Sequence, residues 1–292
     1  RYRSSAASDV YKRQNLKAAL TPFMTATNPF LLRLWSKPGV NLWSDLIVMK
    51  FKALLFDKDG TLLEFHNMWL NASRSACQTV KDFSDTNQGH QNVTVTELLL
   101  AIGVEGDSVD NHGLLASNPV EDTAKAWFEI LRPVVSLEMF TRVTKEAFNH
   151  HVANHPEWVE ALPGVTEKLD SLKQQGMILG IATADTKDST LYTLQQSGLS
   201  EMFDYVGYSD GDIEPKPAPA LLNAFCQQCG VEPHEVIMFG DTVSDMEFGT
   251  NAGAKKIGVL TGTALESELT PVADLVIPSV AHFDPHAFNE LI

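Results

Sequence analysis

The sequence predicts an α/β protein built on a parallel, doubly wound sheet in three layers, with an all-helical domain inserted after the first strand. Two patterns predict it. From Gly176 onward, short apolar runs at Met177–Ala182, Tyr205–Tyr208, Val236–Phe239, Lys256–Leu260 and Leu275–Ile277 alternate with helical stretches, and that alternation belongs to parallel sheets with helices on both faces. Before Gly176, apolar residues recur at helical spacing over Asn67–Phe83, Val95–Ile102 and Ala124–His151, with polar stretches between them.

The predicted first strand, Ala53–Phe56, is fully apolar and lacks Gly and Pro, as suits a central parallel strand covered on both faces. It stops on Asp57-Lys58-Asp59-Gly60-Thr61. Ligands of open α/β sheets bind beyond the carboxyl ends of the strands, which puts both acids at the mouth of a site. Alternate residues of an extended segment share a face, so the two carboxylates converge unless Gly60 bends the chain first. Taken alone, Asp-x-Asp-Gly is equally well a strand running into a turn.

Three later strands also end in reactive residues. Thr183-Ala184-Asp185 reads as a helix N-terminus, where the hydroxyl and following N–H groups either cap the helix or hold a phosphate oxygen. Glu214-Pro215-Lys216-Pro217 fixes one lysine between prolines, in a surface turn or beside clustered anions. Gly240-Asp241-Thr242-Val243-Ser244-Asp245 sets two acids four apart across a strand-to-helix turn, and capping explains only one of them. Hard oxygen ligands at this density suit Mg²⁺.

Composition bounds the rest. The chain has 292 residues and a formal charge of −15. Residues 1–48 hold seven Lys/Arg against two Asp, so the remainder carries 15 basic against 35 acidic residues. Such a body excludes nucleic-acid and anionic-membrane binding as the expected role. Three unevenly spaced cysteines make no disulfide framework and point to the cytoplasm; Cys226-x-x-Cys229, late in a helical pattern, reads as core packing. Asp9–Gln14 resembles a translated sequencing-library adapter, so residues 1–14 are expected to be an assembly scar and 15–48 read-through ahead of Met49. The expected domains are therefore 49–63 with 159–292 as the α/β core, and 64–158 as the helical insertion.

Asp57-x-Asp59-Gly60-Thr61, Thr183, Lys216 and Gly240-Asp241-x-x-x-Asp245, in that order and each after a strand, resemble the four motifs of the haloacid dehalogenase-like hydrolase superfamily. The insertion after the first motif resembles its first type of cap on a Rossmann-like core. Leu162-Pro163-Gly164-Val165, Lys216-Pro217-x-Pro219 and Ala252-Gly253-Ala254 resemble the phosphoglycolate phosphatase-like branch. The resemblance implies a phosphomonoester hydrolase with Asp57 as nucleophile, Asp59 as general acid/base, and Thr183, Ala184, Lys216, Gly60 and Thr61 around the phosphoryl group. It also implies Mg²⁺ on Asp57, the Asp59 carbonyl and Asp241, supported by Asp245.

Asp59 and Asp241 argue against a dehalogenase, and Asp59 argues against an ion-pump-like phosphoenzyme. A β-phosphoglucomutase-like transfer and a non-catalytic ligand- or partner-binding member stay open as alternatives. Glu64-Phe65 and Thr183-Ala184-Asp185 depart from the phosphoglycolate phosphatase pattern, so the expected substrate is a small phosphorylated metabolite with phosphoglycolate leading. Arg74, Arg132, Arg142 and Lys145 are cap cations that could read its carboxylate. His150, His151 and His155 are expected to be solvated near the hinge or to stand behind the residues that touch the ligand, and Trp69 to be core. A monomer or homodimer is expected.

Overall fold

A computed structural model describes residues 49–209 and 213–292; the scar and read-through expected for residues 1–48 lie outside the described residues. The first strand, β1 (Ala53–Phe56), is buried along its whole length. A π-helical turn, His66–Leu70, runs into α1 (Asn71–Thr86). The insertion continues through α2 (Val95–Ala101), the two-residue strands β2 (Val104–Glu105) and β3 (Ser108–Val109), α3 (Leu114–Ser117), α4 (Val120–Leu131) and α5 (Leu137–Asn154). After it come α6 (Val165–Gln174), β4 (Ile178–Ala182), α7 (Lys187–Gln196), β5 (Tyr205–Gly207), α8 (Ala220–Cys229), β6 (Val236–Gly240), α9 (Val243–Ala252), β7 (Lys255–Val259), α10 (Glu266–Leu269), β8 (Leu275–Ile277) and α11 (Pro285–Leu291).

The six long-range strands pair in the order β5-β4-β1-β6-β7-β8, all parallel. β1 and β8 have the predicted bounds and the other strands of this sheet differ from theirs by one residue at one end or both, within the usual scatter at element boundaries. Successive residues of β1 face opposite sides, so Leu55 joins Leu221, Leu222, Phe225, Met238 and Phe248 under α8 and α9. On the other side Phe56 stacks on Phe239 at 4.9 Å, and Phe239 meets Phe283 edge-on at 4.9 Å. Both faces are covered, which is why β1 tolerates no polar residue. Cys226 and Cys229 pack against the α8 cluster as free thiols.

The insertion has its own hydrophobic core, running from Phe65 to Val159. Trp127 lies parallel to Phe148 at 5.9 Å and donates its indole N–H to the Leu98 carbonyl at 2.8 Å. The sequence pattern over Ala124–His151 suggested one helix; there are two. Arg132 takes a left-handed conformation at φ 47° as the cap of α4, and Pro133 follows it. Proline disfavours helical geometry in the residue before it, and Ser136 then caps α5 by accepting from the Met139 N–H. The insertion is helical except for the β2–β3 ladder, whose turn carries Gly106 at φ 60°.

Chain leaves and re-enters the core through two adjacent segments. Glu64 N–H donates to the Glu160 carbonyl at 3.0 Å, and Leu162 N–H to the Leu62 carbonyl at 2.9 Å. Among the described residues no helix is long and apolar enough to cross a membrane.

Candidate active site

Register builds the site. Phe56 lies level with Ile181 on β4 and Phe239 on β6, so the residues that follow all three strands emerge together at one end of the sheet. The Asp57 N–H still bonds the Phe239 carbonyl at 2.8 Å, which holds Asp57 at the strand tip. Beyond it the chain doubles back: Leu62 and Leu63 N–H groups both donate to the Lys58 carbonyl, Gly60 N–H donates to the Leu63 carbonyl, and Gly60 sits at φ 82°.

Four buried side chains meet there. Lys216 Nζ lies 2.6 Å from Asp57 Oδ1 and 2.6 Å from Asp245 Oδ1. Asp245 Oδ2 accepts from the Thr242 hydroxyl at 2.7 Å and its N–H at 3.1 Å, while the Asp245 N–H returns to the Thr242 hydroxyl. Asp245 is thus the capping acid of α9, and Asp241 is the acid that capping does not explain. Among the described residues, the donors to Asp241 are neutral, the Thr61 hydroxyl at 3.3 Å and the Thr263 N–H at 2.9 Å.

Oxygens of Asp57, Asp241 and Asp245 lie within 4.8 Å of one another. Three enclosed carboxylates share one ammonium, an arrangement short of positive charge. Burial, with Asp245 and Asp59 adding to it against the pull of Lys216, pushes the Asp57 carboxyl up to about 7. Burial and the charges of Asp57 and Asp245 push Asp241 well above the usual carboxylate range. Burial opposes the charge of Lys216, yet Asp245 and Asp57 together hold it firmly protonated. An all-oxygen donor set with unbalanced negative charge fits a hard divalent cation such as Mg²⁺.

The Asp59 carboxylate is not part of that group. Because the chain turns at Gly60, it faces Lys58, whose Nζ donates to Asp59 Oδ1 at 2.8 Å and Oδ2 at 2.6 Å and lies 3.1 Å from Asp185 Oδ2. What Asp59 could offer a cation is its backbone carbonyl. Thr183 is buried at the end of β4, and its hydroxyl accepts from the Asp185 N–H at 3.2 Å. The N-cap of α7 is Thr186 instead, three residues later than the sequence suggested. The hydroxyl of Thr183 therefore belongs to the strand tip, beside Ala184.

A cleft open to solvent lies between the strand tips and the insertion. Asp57, Asp59, Thr183, Ala184, Lys216 and Asp245 form its floor, and Phe65, Trp69, Leu114, Lys145, Phe148 and Asn149 line the other side. Gly60 and Thr61 lie beneath the floor, the Gly60 carbonyl accepting from the Thr261 hydroxyl at 2.6 Å. Trp69 both packs on the insertion's core and faces the cleft.

Arg74, Arg132 and Arg142 lie outside the lining. Arg74 pairs with Asp107 at 2.6 Å beside the β2–β3 turn, Arg132 bonds the Glu129 carbonyl, and Arg142 is exposed. Of the four cap cations, Lys145 is the one in the cleft, paired with Glu121. His155 stacks on Trp158 at 4.0 Å, with His151 tilted against both rings, outside the cleft lining. Sequence reasoning missed Lys58, Asp185, and the Thr261–Ala264 loop around Asp241; none carries a local signal, since each gains its partner through folding.

Comparisons with known proteins place the chain in a family and a fold. A family model described as haloacid dehalogenase-like hydrolase matches residues 54–259. "Pyrophosphatase PpaX" of Bacillus velezensis is 39% identical over 113 residues, covering 39% of this chain and 51% of that protein. "Pyrophosphatase PpaX" of Halalkalibacterium halodurans is 28% identical over 75% of this chain and 87% of its own. Among solved structures, a predicted phosphoglycolate phosphatase from Haemophilus somnus superposes with a TM-score of 0.57 at 20% identity, covering 80% of this chain and 96% of that one. A β-phosphoglucomutase from Clostridium difficile superposes at 0.58 and 18% identity, covering 82% and 96%. The likeness to these structures is one of fold. With the family model spanning β1 to β7 and all four motif segments, the chain belongs to the haloacid dehalogenase-like hydrolases.

Proposed function

We propose that this hydrolase is a Mg²⁺-dependent phosphatase that releases phosphate from a small metabolite through an aspartyl-phosphate at Asp57. The observation that carries the reading is the charge of the site: three buried carboxylates against one lysine, with Asp57, Asp245 and Lys216 on the floor of a cleft and Asp241 beside them. Asp57, the Asp59 carbonyl and Asp241 would hold the cation, with Asp245 behind them. When bound, Mg²⁺ supplies charge neutralisation between the carboxylates and the phosphoryl oxygens.

Lys216 ties down Asp57 Oδ1 and leaves Oδ2 as the attacking oxygen. As the new O–P bond forms, the bond from phosphorus to the leaving oxygen breaks, and Asp59 gives that oxygen a proton. Water then attacks the aspartyl-phosphate and loses its proton to Asp59, which restores both acids. Lys216, the Thr183 hydroxyl and the N–H groups at the strand tips meet the charge on the phosphoryl oxygens. The insertion closes the cleft and excludes water.

The relatives named pyrophosphatase and the phosphoglycolate phosphatase-like motifs share one chemical demand, a substrate with a second anionic group. Lys145 is the cleft cation that could meet it. We place the enzyme in the cytoplasm, in keeping with its free thiols. The test is phosphate release, with Mg²⁺ and with chelator, from phosphoglycolate, pyrophosphate, sugar phosphates and nucleoside monophosphates. Metal-dependent release with one clear preference supports the reading. No release, but isomer formation from β-glucose 1-phosphate, would replace it with a mutase; binding without turnover would replace it with a ligand-binding member.

A further inference from the structure

Lys58 is a lysine with no exposed surface, two residues past the central strand. Lysine is almost never fully enclosed unless paired, and enclosing it costs several kcal/mol that an apolar residue at the same place would avoid. Its ammonium is spent on two acids. It forks both oxygens of Asp59 at 2.8 and 2.6 Å and lies 3.1 Å from Asp185 Oδ2.

Asp185 is in turn fixed to the core. Its Oδ1 accepts from the Thr186 N–H at 2.7 Å, and its carbonyl accepts from the Ser209 N–H at 2.9 Å. On the cap side, the Lys58 ammonium sits 5.6 Å from the centroid of the Trp69 ring. Asp59 lines the cleft and Lys58 does not, so whatever Lys58 does for the reaction it does through Asp59.

We infer that Lys58, anchored by Asp185, is a positioning residue that holds the Asp59 carboxylate in the orientation from which it serves the leaving oxygen. The inference rests on the proposed role of Asp59 as general acid. The loop that carries Asp59 turns at once through Gly60 and offers that side chain no backbone donor of its own among the described hydrogen bonds. A two-pronged contact from a rigid ammonium supplies the constraint, and the Asp185 tie to β4 keeps the ammonium in register with the strand tips. A purely structural pair, joining the first loop to β4, would instead affect every substrate alike.

The test compares kcat/KM, which reads the step in which the leaving group departs, for p-nitrophenyl phosphate and for a simple alkyl phosphate. The first leaves without needing a proton, whereas the second needs one. Lys58→Met is expected to lower kcat/KM for the alkyl phosphate about 100-fold and for p-nitrophenyl phosphate less than about tenfold, with Lys58→Arg recovering most of the loss. Asp185→Asn should show the same split more weakly. Equal losses on the two substrates in Lys58→Met would overturn the inference. Should that variant fail to fold by circular dichroism, Asp185→Asn carries the test, and equal losses there overturn it too. Asp59→Asn separates the two layers: without a split in that variant the acid assignment itself fails, whereas a split there and none at Lys58 refutes positioning alone.

Discussion

A Cβ on Gly262 would lie 1.8 Å from Oδ2 of Asp241. The loop after β7 therefore lays bare backbone against the carboxylate that Lys216 does not hydrogen-bond, and the next residue, Thr263, donates its N–H to that same oxygen at 2.9 Å. Gly262→Ala must push Asp241 or the loop aside. We expect it to lower phosphate release at least about tenfold and to weaken Mg²⁺-dependent thermal stabilisation, as a misplaced ligand does. Wild-type turnover and an unchanged Mg²⁺ response would show that this contact does not set the position of Asp241.

Magnesium should stabilise the folded protein directly. At 100 times its dissociation constant a ligand that binds only the native state adds about 2.7 kcal/mol. Melting with and without chelator at pH 8 should show a shift in the wild type that Asp241→Asn removes. An equal shift in both proteins would place the cation elsewhere.

Asp57 makes a pH-dependent prediction. Burial raises its carboxyl to about 7 from an ordinary 3.8. Below about pH 4 native and unfolded chains both hold the proton. Between there and pH 7 the unfolded chain releases it first, so this group withdraws stability as pH rises, and the deficit persists above 7. In chelator, Asp57→Asn should therefore be more stable than wild type at pH 8, on the order of 2 kcal/mol, with little gain at pH 4.5. The same variant should lose turnover by at least about 10³-fold while remaining folded. Retained activity would remove Asp57 from the nucleophile role.

Lys145 should govern substrates, not chemistry. A charge-assisted hydrogen bond contributes about 1.5–3 kcal/mol, so Lys145→Met should raise KM for pyrophosphate or phosphoglycolate roughly tenfold or more. It should leave p-nitrophenyl phosphate nearly unchanged. Glu121→Gln, which releases the lysine from its partner, should lower KM for the doubly anionic substrates. Equal effects on substrates with and without a second anionic group would argue that the pair only braces α4 against α5.

Local patterns determined the strands, their parallel arrangement and the acids at their tips, because a buried strand must be an unbroken apolar run and the residues that end it are visible beside it. Asp57, Thr183, Lys216 and Asp241 stood out as candidates beside those runs, and their order along the chain, which resembles a family's four motifs, is what joined them into one site. Which of them touch was decided by the tertiary structure: Lys216 reaches Asp57 across 159 residues of chain, from the segment after β5, a strand that joins β1 through β4. The backbone turn at Gly60, not strand alternation, sent Asp59 to Lys58 and away from Asp57. Helical periodicity could mark α1, α4 and α5 as amphipathic yet not say which polar residue faces the cleft. Packing within the insertion settled that, turning Lys145 inward and leaving Arg74, Arg132 and Arg142 outside, because the orientation of a helix is fixed by the side chains it buries.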